Sequence, residues 1–145
     1  MILIGPDKSR EADKEDPIQY MARYDDWSKG NRTPRWRFRL PNPDTDPNFM
    51  YEIGRPWGCT IQFQAMDAAG DKIFLASLWG EVHVYDSLTG KRDTILSCGP
   101  EVSGCSAWQD ASMGIRAFKR KNGEYLVFTE NSGFGGRSNF YRWKP

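Results

Sequence analysis

One strand–turn–strand pattern occurs three times along this chain. The clearest copy is Ile73–Tyr85 (IFLASLWGEVHVY), in which two apolar strands flank a short turn. Tyr125–Tyr141 repeats the pattern, and Met1–Tyr24 does so around a charged insertion. The tyrosines that close the three copies stand 61 and 56 residues apart, which is too long for a hairpin repeat and close to one small four-stranded sheet. A repeat of this spacing favours a fold built from successive small sheets.

The repeats predict three, then four, then three strands. The middle unit, 58–98, alternates at Cys59–Ala65, runs apolar at Ile73–Ala76, alternates again at Glu81–Tyr85 and ends with an outer strand at Asp93–Ser97. Its predicted turns are Asp67–Asp71 and Ser87–Gly90, and the flanking strands are Met1–Ile4, Gln19–Tyr24 and Arg35–Leu40 in 1–41, with Ile115–Lys119, Tyr125–Thr129 and Asn139–Trp143 in 114–143. The sequence therefore predicts an all-β protein: one domain, 1–145, forming a partial β-propeller of about two and a half four-stranded antiparallel blades.

Two and a half blades do not close a ring, because a propeller needs at least four. An open set of blades leaves unpaired strand edges, which soluble proteins rarely tolerate. Three arrangements stay open: a C-terminal piece of a longer propeller, several copies that complete a ring, or sheets that curl into a sandwich. A chain that starts directly on an apolar strand and stops one strand short favours the first, and we expect the isolated chain to fold poorly.

The segment Val84–Lys91 (VYDSLTGK) resembles the blade repeat of quinoprotein-like (PQQ-type) β-propellers, in which an Asp-x-x-Thr-Gly-Lys turn joins the third and fourth strands. Asp86 and Thr89 are expected to bond to turn amides, and Gly90 to adopt a positive φ. Tyr24–Gly30 is a looser copy with one inserted residue, and Thr94 stands where this family usually has Trp. The resemblance extends to NHL-like propellers and implies a scaffold in an extracellular or periplasmic protein, without assigning a catalytic residue.

Composition excludes some classes of function. The net charge of +1 and the mean hydropathy of −0.69 argue against nucleic-acid and membrane partners. Fourteen glycines, nine prolines and 14% aromatics are typical of short strands and tight turns. Of the three cysteines, Cys98 and Cys105 would close a loop if they formed a disulfide, but buried free thiols are the favoured interpretation. No cysteine or histidine spacing suits zinc, and we expect no cofactor.

The two long loops between predicted blades are the candidate ligand site. They run over Asn42–Trp57 and Gly99–Met113 and combine aromatic rings with amides and carboxylates. Such surfaces suit a sugar, whose C–H faces stack on rings while its hydroxyls form hydrogen bonds. The alternative is that the aromatics pack between blades. The candidate ligand-binding residues are Trp57, Trp108, Tyr51, Gln109, Asp110 and Glu52.

Four further motifs favour structural roles. The acidic loop Asn42–Asn48 lacks the Gly and Glu of an EF-hand, so a solvated loop is favoured over a calcium site. The arginines of Arg35–Leu40 alternate with apolar residues, which indicates a solvated strand face. His83, the single histidine, is expected to lie in the packing between sheets and not in a cleft. The glycines of Gly133–Gly136 join two strands and do not precede a helix, so they form a turn and not a phosphate-binding loop.

The sequence therefore predicts a ligand- or carbohydrate-binding or scaffolding propeller segment of a larger extracytoplasmic protein. Its expected partners are a polysaccharide or small ligand, and the rest of the propeller or further copies of itself. One alternative is part of a propeller enzyme, a quinoprotein-type dehydrogenase or a polysaccharide lyase or hydrolase, with catalytic groups on other blades. A second alternative, an intracellular interaction scaffold, is weakened because its Gly-His and Trp-Asp signature is missing.

Overall fold

The computed structural model describes residues 1–6, 19–40, 63–77, 81–97, 112–131 and 138–145. Within these ranges the chain forms ten strands and one three-residue 3₁₀ helix, Trp27–Lys29. The strands are β1 (Ile2–Pro6), β2 (Gln19–Arg23), β3 (Trp36–Arg39), β4 (Phe63–Ala69), β5 (Lys72–Ser77), β6 (Val82–Asp86), β7 (Arg92–Leu96), β8 (Ser112–Lys119), β9 (Tyr125–Asn131) and β10 (Ser138–Trp143).

Each strand pairs antiparallel with its neighbour in the chain. The result is three sheets, ordered β1-β2-β3, β4-β5-β6-β7 and β8-β9-β10. The predicted all-β class and the grouping of three, four and three strands are thus confirmed. The chain divides into two compact units, Met1–Ile61 and Gln62–Pro145. The first unit holds the first sheet and the second unit holds the other two.

The first sheet shows the alternation expected of β3. Trp36 and Phe38 are half-buried, whereas Arg37 and Arg39 are exposed, as predicted for a solvated face. The guanidinium of Arg37 lies 4.5 Å from the centre of the Tyr20 ring on β2, a cation–π contact across the strand pair. Met21, in the middle strand, is fully buried.

The core of the second unit lies between its two sheets. Every residue of β5 is buried, as the sequence predicted for the apolar run Ile73–Ala76 within it. The core residues are Phe74, Ala76, Val82 and Val84 from the four-stranded sheet and Ile115, Ala117, Tyr125 and Val127 from the three-stranded sheet. The four-stranded sheet is buried on its other face as well, at Ile73, Leu75, His83 and Tyr85.

The predicted bounds of β4 were wrong. The strand continues to Ala69 and its turn consists only of Gly70 and Asp71, whereas the sequence predicted a strand ending at Ala65 and a turn from Asp67. Asp67 lies in the strand opposite Phe74 of β5, and its carboxylate accepts a hydrogen bond from the Ala117 amide on β8, at 2.9 Å. Asp67, whose polar side chain suggested a turn, instead forms a contact between the two sheets.

The turn between β6 and β7 has the geometry expected from the sequence. Asp86 Oδ1 accepts hydrogen bonds from the Leu88 amide (3.1 Å) and from the amide and hydroxyl of Thr89 (2.8 and 2.9 Å). Gly90 has a φ of 72°, which a residue with a side chain rarely adopts. In the looser copy Gly30 also has a positive φ, 90°, but Asp25 pairs with Arg23 and Arg35.

Candidate functional site

Strands β4 and β8 lie side by side and run in the same direction. Asp67 contacts Ala117, and four residues further along the chain, in the turn after β4, the Asp71 carboxylate meets the ammonium of Lys119, two residues after Ala117, at 2.6 Å. The two contacts advance together along both strands. The first strands of the two sheets are therefore parallel to each other.

Because β4 and β8 are parallel, their sheets have corresponding ends, here called the lower and upper ends of the second unit. The lower end carries the short turns that follow β4, β6 and β8, which are Gly70–Asp71, Ser87–Lys91 and Arg120–Glu124. At the upper end lie the starts of β4, β6, β8 and β10 and the ends of β5, β7 and β9. The connecting segments 78–80, 98–111 and 132–137 therefore all leave and re-enter the sheets at the upper end.

The six predicted ligand-binding residues lie outside the described residues. Trp108, Gln109 and Asp110 belong to the segment that joins β7 to β8, both of whose attachment points are at the upper end. Trp57, Tyr51 and Glu52 belong to the segment that enters β4 there. Also outside the described residues are Cys59, Cys98 and Cys105, the Asn42–Asn48 loop and Gly133–Gly136.

A buried acid–histidine pair stands at the upper end. Glu81 Oε2 and His83 Nε2 are 3.1 Å apart, and both side chains are at most 1% exposed. The edge of the Phe63 ring meets the imidazole with centroids 5.0 Å apart at 82°. Glu81 also closes the β5–β6 connection, because its amide donates to Ser77 Oγ and its carbonyl accepts from the Ser77 amide.

Burial limits what this pair can do. His83 is fully buried, in agreement with the prediction that it does not face a cleft. Neither group reaches solvent, so neither is placed to exchange a proton with a substrate. Among the described residues Glu81 Oε1 has no hydrogen-bond partner although it is buried. Glu81 instead joins the end of β5 to the start of β6 through its hydrogen bonds with Ser77. Glu81 was not singled out from the sequence, although its i, i+2 spacing to His83 on one strand was visible there.

The lower end is held by a network of charges that the sequence did not reveal. Lys72 is 8% exposed, and its ammonium lies 2.7 Å from Asp93, 3.2 Å from Asp86 and 3.6 Å from Asp71. Burial lowers the pKa of Lys72, but its hydrogen bonds to Asp93 and Asp86 outweigh burial and leave the pKa above its usual value. Lys72 is therefore a permanent cation shared by three carboxylates.

Asp71 joins this network to the three-stranded sheet. Its Oδ1 accepts from the Lys119 ammonium at 2.6 Å and from the Tyr125 hydroxyl at 2.5 Å. Hydrogen bonds from Lys119 and Tyr125 hold the pKa of Asp71 well below its usual range, while burial and the same carboxylate raise the pKa of Tyr125. Because its charges pair with one another, the lower end holds the two sheets together and is a poor candidate for ligand binding.

Among the described residues no cluster of three or more histidine, cysteine or acidic side chains is arranged to hold a metal ion. The same residues include no helix of the length and apolarity needed to cross a membrane. Comparisons of the chain with protein-family models, with curated proteins and with solved structures gave no match.

Proposed function

We propose that the chain is a partial β-propeller of about two and a half blades that acts as a binding scaffold in a larger extracytoplasmic protein, in which further sequence or other copies of the chain supply the remaining blades. Three features support this architecture: successive antiparallel sheets in chain order, adjacent first strands that run in the same direction, and the Asp86–Thr89 turn between third and fourth strands.

The proposed ligand is a carbohydrate, bound at the upper end of the sheets. The observation on which this rests is the difference between the two ends of the second unit. Ion pairs and short turns occupy the lower end, whereas every longer connection between the described strands of this unit starts and finishes at the upper end. Segments supported on a rigid scaffold are the usual location of binding residues. The connection 98–111 contains Trp108 with Gln109 and Asp110, and the segment that precedes β4 contains Trp57 with Tyr51 and Glu52.

The test is a screen of the intact chain against immobilised polysaccharides and oligosaccharides, followed by calorimetry on any ligand found. We expect Trp57→Ala and Trp108→Ala each to weaken binding by about tenfold or more, the effect typical of removing a stacking aromatic anchor. Leu88→Ala is the matched control, because Leu88 is 53% exposed in a turn at the lower end. A folded chain that binds no glycan, or an equal loss of affinity in the Leu88 variant, would contradict the proposal.

A further inference from the structure

The outer face of the three-stranded sheet exposes three phenylalanines. Phe118, Phe128 and Phe140, here called the aromatic face, are 55%, 44% and 51% exposed. Their rings touch in sequence across the three strands, with centroids 6.2 Å apart for Phe118–Phe128 and 4.7 Å apart for Phe128–Phe140. A contiguous aromatic patch on a protein surface marks a binding surface for another molecule.

The sequence repeat shows what this face corresponds to inside the molecule. Aligning Ile73–Tyr85 with Tyr125–Tyr141 places Phe128 at the position of Ala76 and Phe140 at the position of Val84. Ala76 and Val84 belong to the face of the four-stranded sheet that packs against β8–β10. The aromatic face is therefore the equivalent of a face that, one repeat earlier, is covered by the following sheet.

The first sheet exposes a face of the opposite kind. Met1 pairs with Tyr24 through two backbone hydrogen bonds, as Ile73 pairs with Tyr85, so Leu3 takes the position of Leu75. Leu75 points away from Ala76, since successive residues of a strand alternate between faces. Met1 and Leu3 are 47% and 41% exposed. Because Leu3 pairs with Ala22 and Ala22 with Arg37, exposed arginines share this face, here called the Leu3 face.

The two faces have complementary chemistry. Arg39 on the Leu3 face can stack on a phenylalanine ring, which attracts a guanidinium group, and Met1 and Leu3 supply apolar area. On the aromatic face the charge of Arg142 is already matched by Glu124, at 2.7 Å. Arg116 also lies there, so the contact depends on apolar burial and cation–π stacking and not on net charge.

We propose that the aromatic face of one copy packs against the Leu3 face of a second copy, so that the chain associates head to tail. The inference rests on the proposed propeller architecture, in which one kind of sheet face always packs against the other kind. One copy presents one face of each kind, which makes the contact heterologous and not symmetric about a two-fold axis.

A complementation experiment tests the arrangement. Phe128→Asp and Leu3→Asp each disable one face, and Leu88→Asp is a control at an exposed turn residue. Light scattering on the wild type should give a defined multiple of the 16.7 kDa chain mass at about 100 µM, well above a micromolar dissociation constant. Each variant alone should be monomeric. An equimolar mixture of the two variants should form dimers and no larger species, because it contains one intact pair of faces.

Several outcomes would overturn the proposal. If the wild-type chain is monomeric at this concentration, the proposal is wrong. A dimer that persists in Leu3→Asp but not in Phe128→Asp would instead indicate a symmetric contact through the aromatic face alone. Far-UV circular dichroism verifies that each variant folds, and Phe140→Ser replaces Phe128→Asp if the latter does not. Glycan binding by the monomeric variants separates this inference from the proposed function, since loss of association leaves the upper end of the sheets unchanged.

Discussion

Asp86 stabilises two parts of the second unit with its two carboxylate oxygens. Oδ1 accepts three hydrogen bonds within the β6–β7 turn, and Oδ2 pairs with Lys72 at 3.2 Å. Hydrogen bonds to the Thr89 amide and hydroxyl hold the pKa of Asp86 below its usual value. Removing the side chain therefore leaves turn amides without an acceptor and the mostly buried Lys72 with one carboxylate fewer.

We predict that Asp86→Ala lowers the free energy of unfolding by about 2 kcal/mol, the usual cost of losing hydrogen bonds to a charged group. Asp86→Asn should cost less, because the amide oxygen still accepts from the turn while the ion pair with Lys72 is lost. Urea unfolding followed by circular dichroism measures both values. Equal losses in the two variants would mean that the turn hydrogen bonds contribute nothing measurable.

Asp71 makes the stability of the chain sensitive to acid. Hydrogen bonds from Lys119 and Tyr125 lower the pKa of Asp71 in the folded state, whereas an unfolded aspartate has a pKa of about 4. A lowered folded pKa means that the contribution to stability is complete above the unfolded value and is lost as the pH falls through the folded value.

We predict that Asp71→Asn destabilises the chain by about 1 kcal/mol at neutral pH, a modest figure because the carboxylate is half exposed. The difference in melting temperature between wild type and variant should shrink as the pH falls below about 4. Thermal unfolding over a pH series measures it. A difference that is constant across the series would show that the Asp71 charge has no part in the effect.

At the scale of elements, Asp67 links β4 to the neighbouring sheet. We predict that Asp67→Ala costs about 1–2 kcal/mol of stability, because the Ala117 amide loses its acceptor in a partly buried position. Asp67→Asn keeps an oxygen at the same place and should be nearly neutral. Hydrogen exchange at the Ala117 amide gives the local readout. Protection that persists in Asp67→Ala would show that this hydrogen bond does not join the two strands.

The same residue shows where prediction from sequence ends. The Asp86–Thr89 turn could be predicted because all its partners lie within three residues, and β5 because four of its six residues, Ile73–Ala76, form a continuous apolar run. The extent of β4 could not, since the partner of Asp67 lies 50 residues away in sequence. The lower-end network joins Lys72 and Asp71 to side chains on other elements for the same reason. The candidate sugar-binding residues were chosen by residue type and stay a prediction.

For the whole molecule, the two units differ in how much apolar surface they bury. The described hydrophobic residues buried in the first unit are Met21, Ala22 and Leu40. The second unit has a core drawn from two sheets, with Phe74, Val82 and Val84 fully buried. Since stability follows buried apolar area, the first sheet is expected to open more readily than the second unit.

We predict that native-state hydrogen exchange separates the units. Amides of β5, a central strand buried along its whole length, should exchange with the free energy of global unfolding. Amides of β2 are also central in their sheet, yet they should open at about 2 kcal/mol less, which corresponds to roughly 30-fold faster exchange. Both strands have a neighbour on each side, so the comparison isolates the difference in buried apolar surface between the two units. Equal opening energies in β2 and β5 would mean that the chain unfolds as one cooperative body, which a run of sheets with separate cores does not do.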